Sequence, residues 1–189
     1  MPNTLIVGID PGISGGIGVI NPMEKTVAIF PTPTTWVKRA GTRRSEYDLM
    51  MLTLRLLWLQ ENGGIHLVVI ERGGTRPGQH AMAVYRTGYG VGLWHGLLTG
   101  MRYPFRWVMP AVWKKHQGLI HADKRASRLL VQERWPLLGH ITAAKEGAAE
   151  GLLMADYICS KEGLYGTHQT EREWSVQFPA QRESAAHVS

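Results

Sequence analysis

A chain of 189 residues, 44% hydrophobic and 19% charged, is long enough to bury one substantial core and short for two, so one folded domain is expected. A formal net charge of +6 and a sequence pI near 9.7 favour a polyanionic partner over a neutral or acidic one. The single cysteine, Cys159, excludes an internal disulfide framework and a multi-cysteine zinc site, suits a reducing compartment, and leaves oxygen or histidine as the ligands of any metal.

Leu5-Ile6-Val7-Gly8-Ile9 is rich in branched residues and runs into Asp10-Pro11-Gly12, which forces a turn. Gly16 to Ile20 and Thr26 to Phe30 are second and third runs, and their short connections predict an antiparallel meander. From Pro31 to Arg44 the composition shifts to Pro, Thr, Lys and Arg, which predicts an exposed basic loop. Ser45 is placed to cap a helix with Glu46 and Asp48 in its first turn, buried through Leu49, Leu52, Leu56 and Leu59 and stopped by Asn62-Gly63-Gly64.

His66-Leu67-Val68-Val69-Ile70-Glu71 reads as a central strand covered on both faces and ending in a carboxylate. A glycine-rich loop, Arg72 to Gly78, leads into a helix from about Gln79 to Met101. Its Gly88, Gly90, Gly92 and Gly96 favour close packing against another helix. Phe105 to Met109 predicts a fifth strand, Pro110 opens a short helix ending at Gly118, and further helices run from Lys124 to Trp135 and from about Ala143 to Cys159. The expected domain is therefore 1–160, followed by a polar tail, 161–189, that is mobile at its end. That tail holds three basic and four acidic residues, so the positive excess belongs to the domain. The longest apolar stretch, Leu49 to Leu59, is interrupted by Thr53 and Arg55 and is too short to span a bilayer, and no signal peptide is recognised ahead of Asp10, so a cytoplasmic location is expected.

The chemistry lies in four acids. Asp10 and Glu71 close the first and fourth strands, and strand ends in an open sheet line the edge where ligands collect. Glu146 and Glu150, four apart on the last helix, lie about 40° apart around its axis and share a face. Asp156 is about 280° from Glu146 and off that face. Converging carboxylates repel unless a cation neutralises them, and hard oxygen ligands suit Mg²⁺ or Mn²⁺. Two such ions about 4 Å apart would activate water at a phosphodiester and steady the leaving oxygen. The other reading of the same acids is a turn residue at Asp10 and an exposed helix face at Glu146 and Glu150.

Candidate phosphate contacts are Arg43, Arg44, Arg72, Arg76, Lys114, Lys115, Lys124, Arg125 and Arg128, and Lys114 and Lys124 sit nearest the carboxyl edge of the sheet. Tyr85 and Tyr89 could stack on a base, although core packing is the favoured fate of both. His140 is weighed equally between the metal site and the surface. Cys159, Trp113 and Trp135 read as packing residues.

Gly8-Ile9-Asp10-Pro11-Gly12-Ile13-Ser14-Gly15-Gly16, Val69-Ile70-Glu71, Pro110-Ala111-Val112-Trp113-Lys114-Lys115, Asp123-Lys124, and Lys145-Glu146-Gly147-Ala148-Ala149-Glu150-Gly151-Leu152-Leu153-Met154-Ala155 together resemble the RuvC family of Holliday junction resolvases, and most of all its compact phage and organelle-type members. The likeness runs from about Leu5 to Tyr157. It implies an α/β, ribonuclease H-like fold with a five-stranded mixed sheet, three antiparallel strands then two parallel, flanked by helices. It also implies a homodimer acting on branched DNA and four-way junctions by Mg²⁺-dependent paired nicking. Asp10, Glu71, Glu146 and Glu150 would be the metal ligands, and Lys114 or Lys115, with Lys124, would stand beside the scissile phosphate. The chain departs from the family pattern at Glu146, where aspartate is usual, and at Ala149, where bacterial members carry a second aspartate. Two other readings share these features: a catalytically inactive branched-DNA-binding protein on the same fold, and an actin-like nucleotide-binding protein. The first is disfavoured by four intact carboxylates, the second by length and the lack of a second Asp-Gly-Gly phosphate loop.

Overall fold

In the computed structural model, which describes residues 4–39, 41–74, 78–123, 125–165 and 173–176, the three branched runs form β1 (Leu5–Asp10), β2 (Gly16–Asn21) and β3 (Thr26–Pro31) as an antiparallel meander. The stretch expected to be a basic loop is instead a hairpin, β4 (Thr34–Arg39) with β5 (Thr42–Tyr47), turned at Gly41 with φ 79°. β-Branched Thr34, Thr35, Val37 and Thr42 suit extended backbone, and a left-handed glycine suits a tight turn. Ser45 and Glu46 therefore lie in a strand. The cap of α1 (Leu49–Glu61) is Asp48, whose Oδ1 accepts from the Met51 amide at 3.0 Å.

β6 (Ile65–Glu71) follows, then α2 (Ala81–Gly100), β7 (Phe105–Val108), α3 (Pro110–His116), α4 (Ala126–Arg134) and α5 (Glu146–Lys161). A two-residue strand, β8 (Ser175–Val176), pairs in parallel with β3. The sheet order is β7-β6-β1-β2-β3-β8, with β6 parallel to β1 and β7 parallel to β6, so the expected five strands gain a sixth at the edge. Trp174 holds that edge by packing edge-on against Trp135 and Tyr165, with ring centroids at 5.8 and 6.1 Å. The expected mobile end, 181–189, lies outside the described residues. No helix among them is long and apolar enough to cross a membrane.

Strand alternation divides the interior into two cores. Leu5, Val7, Ile9, Val68 and Ile70 face α1 and α2, burying Leu52, Leu56, Leu59, Trp94 and Leu98. Ile6, Leu67 and Val69 face α5, with Leu152, Leu153, Ile158, Trp113, Val131 and Trp135. Asp10 and Glu71 fall on the α5 side by the same two-residue period, beside one another beyond the Ile9↔Ile70 pair. Behind the carboxylates, Asp156 is held in a buried network: it accepts from Arg134 at 2.6 Å, Gln117 at 3.0 Å and Tyr165 at 2.5 Å, tying α3, α4 and α5 together.

The α5 helix lies directly on the backbone of β1 and β2. A Cβ at Gly8 would overlap the Gly151 carbonyl, and one at Gly18 would overlap the Leu152 backbone. Neither obstacle is a side chain that can swing away, so Gly18→Ala is expected to destabilise the chain by about 3 kcal/mol or more. Chemical denaturation checks this, and a loss under 1 kcal/mol would mean that α5 is free to lift.

Candidate active site

β1 and β6 deliver Asp10 and Glu71 to the carboxyl edge of the sheet, and the first turns of α5 deliver Glu150. The carbonyl–amide pattern of the Asp10-Pro11-Gly12 turn fixes the first of these: the Gly12 amide donates to Asp10 Oδ1 at 3.2 Å. A Cβ at Gly147 would overlap the other Asp10 oxygen, so only a glycine lets the amino end of α5 come this near the carboxylate. Burial, reinforced by the charges of Glu71 and Glu150, nevertheless pushes the Asp10 acid up from 3.8 to about 7, against the opposing pull of the Gly12 amide and Lys114. Glu71 is also raised, by burial first and then by Glu150, while the Trp113 indole and Lys114 act the other way.

Each remaining acid is steered by a named neighbour. The Trp113 Nε1–H donates to Glu71 Oε2 at 2.8 Å. Glu150 Oε1 receives the Lys114 ammonium at 3.1 Å and the Ser127 hydroxyl at 3.2 Å. Lys114 in turn lies 5.0 Å from the Trp113 ring centroid. Glu146, one turn before Glu150, pairs with Arg128 Nε at 3.4 Å. The charges acting on Asp10 are thus Glu71, Glu150 and Lys114, while Glu146 is engaged by α4. With Glu150 turned to Lys114 and Glu71 to Trp113, no three acidic, histidine or cysteine side chains among the described residues close a metal-binding group as they lie. The donor chemistry still fits a hard divalent cation, because desolvated oxygens that repel one another are relieved by positive charge.

No protein-family model and no curated protein matches the chain. Among solved structures it is similar to T. thermophilus RuvC in complex with a Holliday junction substrate, with TM-score 0.53 and 16% identity over 85% of this chain and 97% of that one. A second Thermus thermophilus RuvC structure gives 0.50 and 18% over 84% and 96%. The yeast mitochondrial Holliday junction resolvase gives 0.48 and 15% over 80% and 76%. This chain has the RuvC fold.

Around the carboxyl edge of that RuvC-like sheet the basic residues separate into groups. Lys114 and Arg128 pair with Glu150 and Glu146, and Lys115, next to Lys114 on α3, is exposed. Arg72 is exposed at the end of β6, and Arg125 pairs with Asp123 at 3.3 Å. Arg43 and Arg44 ride on the hairpin. Lys124 and Arg76 lie outside the described residues. His140 lines a shallow groove with Asp123, Arg125, Arg128, Leu129 and Gln132.

The tyrosines differ from the core packing favoured for them. Tyr85 and Tyr89 are 65% and 48% exposed and stack at 6.1 Å with an 18° interplanar angle, because α2 turns its Trp94 and Leu98 side inward. Gly88, Gly92 and Gly96 likewise meet open space, and only Gly90 of that set packs closely, against Pro11 and Tyr47. Three residues of the site carry no obvious sequence signal: Ser127, Tyr47, whose hydroxyl donates to the Pro11 carbonyl at 2.9 Å, and Trp113 in its role as a donor. Burial and nearby Asp10 raise the Tyr47 phenol to about 12, so it keeps the proton that bond uses.

Asp10 binds its proton up to about pH 7 when folded but only to about 3.8 when unfolded. Between those values the native state holds the extra proton, so stability falls as pH rises, by up to about 4 kcal/mol. In EDTA at pH 8, Asp10→Asn is expected to melt several degrees above the unsubstituted protein, with the gap closing toward pH 4. A gap independent of pH would contradict the burial of this charge.

Proposed function

We propose that the chain is a divalent-metal-dependent endonuclease that resolves four-way DNA junctions by hydrolysing phosphodiesters. The observation that carries this reading is the desolvated pair Asp10 and Glu71 with Glu150 beside them, flanked by Lys114, at the carboxyl edge of a RuvC-like sheet. The RuvC of similar fold was captured with a Holliday junction substrate, and the positive net charge of this chain suits the same polyanion.

Asp10, Glu71 and Glu150 would hold Mg²⁺ or Mn²⁺, with Glu146 joining them on release from Arg128. When bound, a pair of such ions supplies an activated water and neutralises the leaving oxygen. The chain's own groups do the rest. Trp113 orients Glu71 through its indole N–H. Lys114, already beside Glu150, is placed to face a phosphate brought to the acids, and the arrangement calls for no protein nucleophile. Lys115 and the cations of α4 bind the flanking backbone, where charge positions rather than specifies.

Incubation with a mobile four-way junction and Mg²⁺ is expected to give paired nicks. Asp10→Asn and Glu71→Gln should abolish cleavage while junction binding stays within threefold, because the amides keep shape and lose charge. Trp113→Phe should lower the cleavage rate about tenfold with binding unchanged, since it frees Glu71 without altering it. Full nicking by Asp10→Asn, or binding without nicking by the unsubstituted protein, would reject the nuclease assignment, and the second result would favour a binding protein.

Resolution needs two cuts, and the reading includes a homodimer. Its support is the open strip of Gly88, Gly92 and Gly96 on α2. The α1 helix also leaves Leu49, Met50, Leu54 and Leu57 exposed, and apolar side chains so placed suit an interface between copies. Light scattering is expected to report about twice 21.1 kDa, and Gly92→Glu to yield monomers that no longer make paired cuts. A monomeric protein that cuts both strands in one encounter would overturn the dimer.

A further inference from the structure

The β4–β5 hairpin forms its own two-stranded sheet, and its base is fastened to the turn that carries Asp10. Thr32 Oγ1 donates to the Gly12 carbonyl at 3.0 Å, the Thr32 amide to Gly15 at 3.2 Å, and the Tyr47 hydroxyl to Pro11 at 2.9 Å. Register pairs Trp36 with Ser45 and Lys38 with Arg43, so these four and Tyr47 share one face. On that face the Arg43 guanidinium carbon lies 4.7 Å from the Trp36 ring centroid. Trp36 is 61% exposed, and it is the one exposed tryptophan of the seven, all of which are described.

Two further observations make this face more than a stray aromatic. The hairpin sequence, residues 34 to 47, carries Lys38, Arg39, Arg43 and Arg44 against a single acid, Glu46. Tyr47 also continues the face toward α2: its ring lies 5.8 Å from Tyr89, which stacks on exposed Tyr85. Aromatic rings interleaved with cations form the surface chemistry that binds unpaired nucleic acid, because every base has a π-face and every nucleotide a phosphate.

We propose that Trp36, Lys38 and Arg43 form a second DNA-contacting site, in which an unpaired base of a branched DNA stacks on the indole and the two cations hold its flanking phosphates. With Arg43 over one side of the ring, the base takes the other. A continuous duplex keeps its bases stacked on one another and offers the indole no partner, so this site selects the branch over the arms. Its attachment at Pro11, Gly12 and Gly15 ties the branch to the carboxylates. This proposal rests on the junction-nuclease reading and adds the element that recognises the branch.

The test is binding of the full chain in EDTA to three fluorescein-labelled probes: a four-way junction with unpaired thymines at the branch, an oligothymidylate, and a linear duplex of equal length. Trp36→Ala is expected to weaken the first two about tenfold and the duplex less than twofold, and Trp36→Phe to restore most of the loss. Arg43→Ala should reduce the salt dependence by about one phosphate contact. Equal weakening on all three probes, or unchanged binding to the junction and oligothymidylate, would overturn the hairpin site alone. Failure of the unsubstituted protein to bind any probe would overturn the junction-nuclease reading together with it.

Discussion

The backbone contact between α5 and the β1–β2 pair governs the rest of this molecule. Side chains normally hold a helix off the backbone of the sheet it covers, and here glycines at Gly8, Gly18 and Gly151 remove them. The helix sinks until its first turn meets Gly15, and a Cβ at Gly147 would overlap both that backbone and an Asp10 carboxylate oxygen. Asp10 and Glu71 are neighbours through the β1–β6 register, and Glu150 joins them through that approach. Bulk added anywhere along the crossing would move Glu150 away from both strand carboxylates, so packing and chemistry share the same atoms.

Proximity has an electrostatic cost. Two raised carboxyl groups beside a third acid oppose folding at neutral pH, and the neighbouring elements answer with fixed partners rather than by opening to solvent. Trp113 from α3 supplies an N–H, Lys114 an ammonium, Ser127 from α4 a hydroxyl, and Arg128 a guanidinium to Glu146. Together they hold negative charge at a strand edge without cancelling it. Part of the stability given up there is recovered deeper, where the Asp156 network is satisfied by Arg134, Gln117 and Tyr165 and locks the three helices.

The surface around the acids has two kinds of cation. Lys114 of α3 and Arg128 of α4 already hold Glu150 and Glu146 at the carboxyl edge of the sheet. Those on the hairpin stand with an exposed indole, away from the main sheet yet bonded through Thr32 and Tyr47 to the Asp10 turn. The two groups differ in what stands beside them, carboxylates in the first and an exposed aromatic ring in the second.

The sequence by itself determined the meander, the buried parallel strands and the placement of Asp10 and Glu71, since a period of two and a carboxylate at a strand end are local facts. It also determined the shared face of Glu146 and Glu150, which follows from helix geometry alone. Periodicity gives no direction, however, and only packing decided that α2 points Trp94 inward and leaves Tyr85 and Tyr89 outside. The hairpin was illegible because neither of its faces is an unbroken apolar row, and β8 because two residues carry no period; each is held by partners distant in the chain, Pro11 for one and Trp135 for the other. Likewise, nothing local to Glu146 foretells Arg128, nor anything local to Glu71 the indole of Trp113. A side chain's rotamer is chosen by the strongest partner within reach, and which partners come within reach is fixed only when α3, α4 and α5 dock on the sheet.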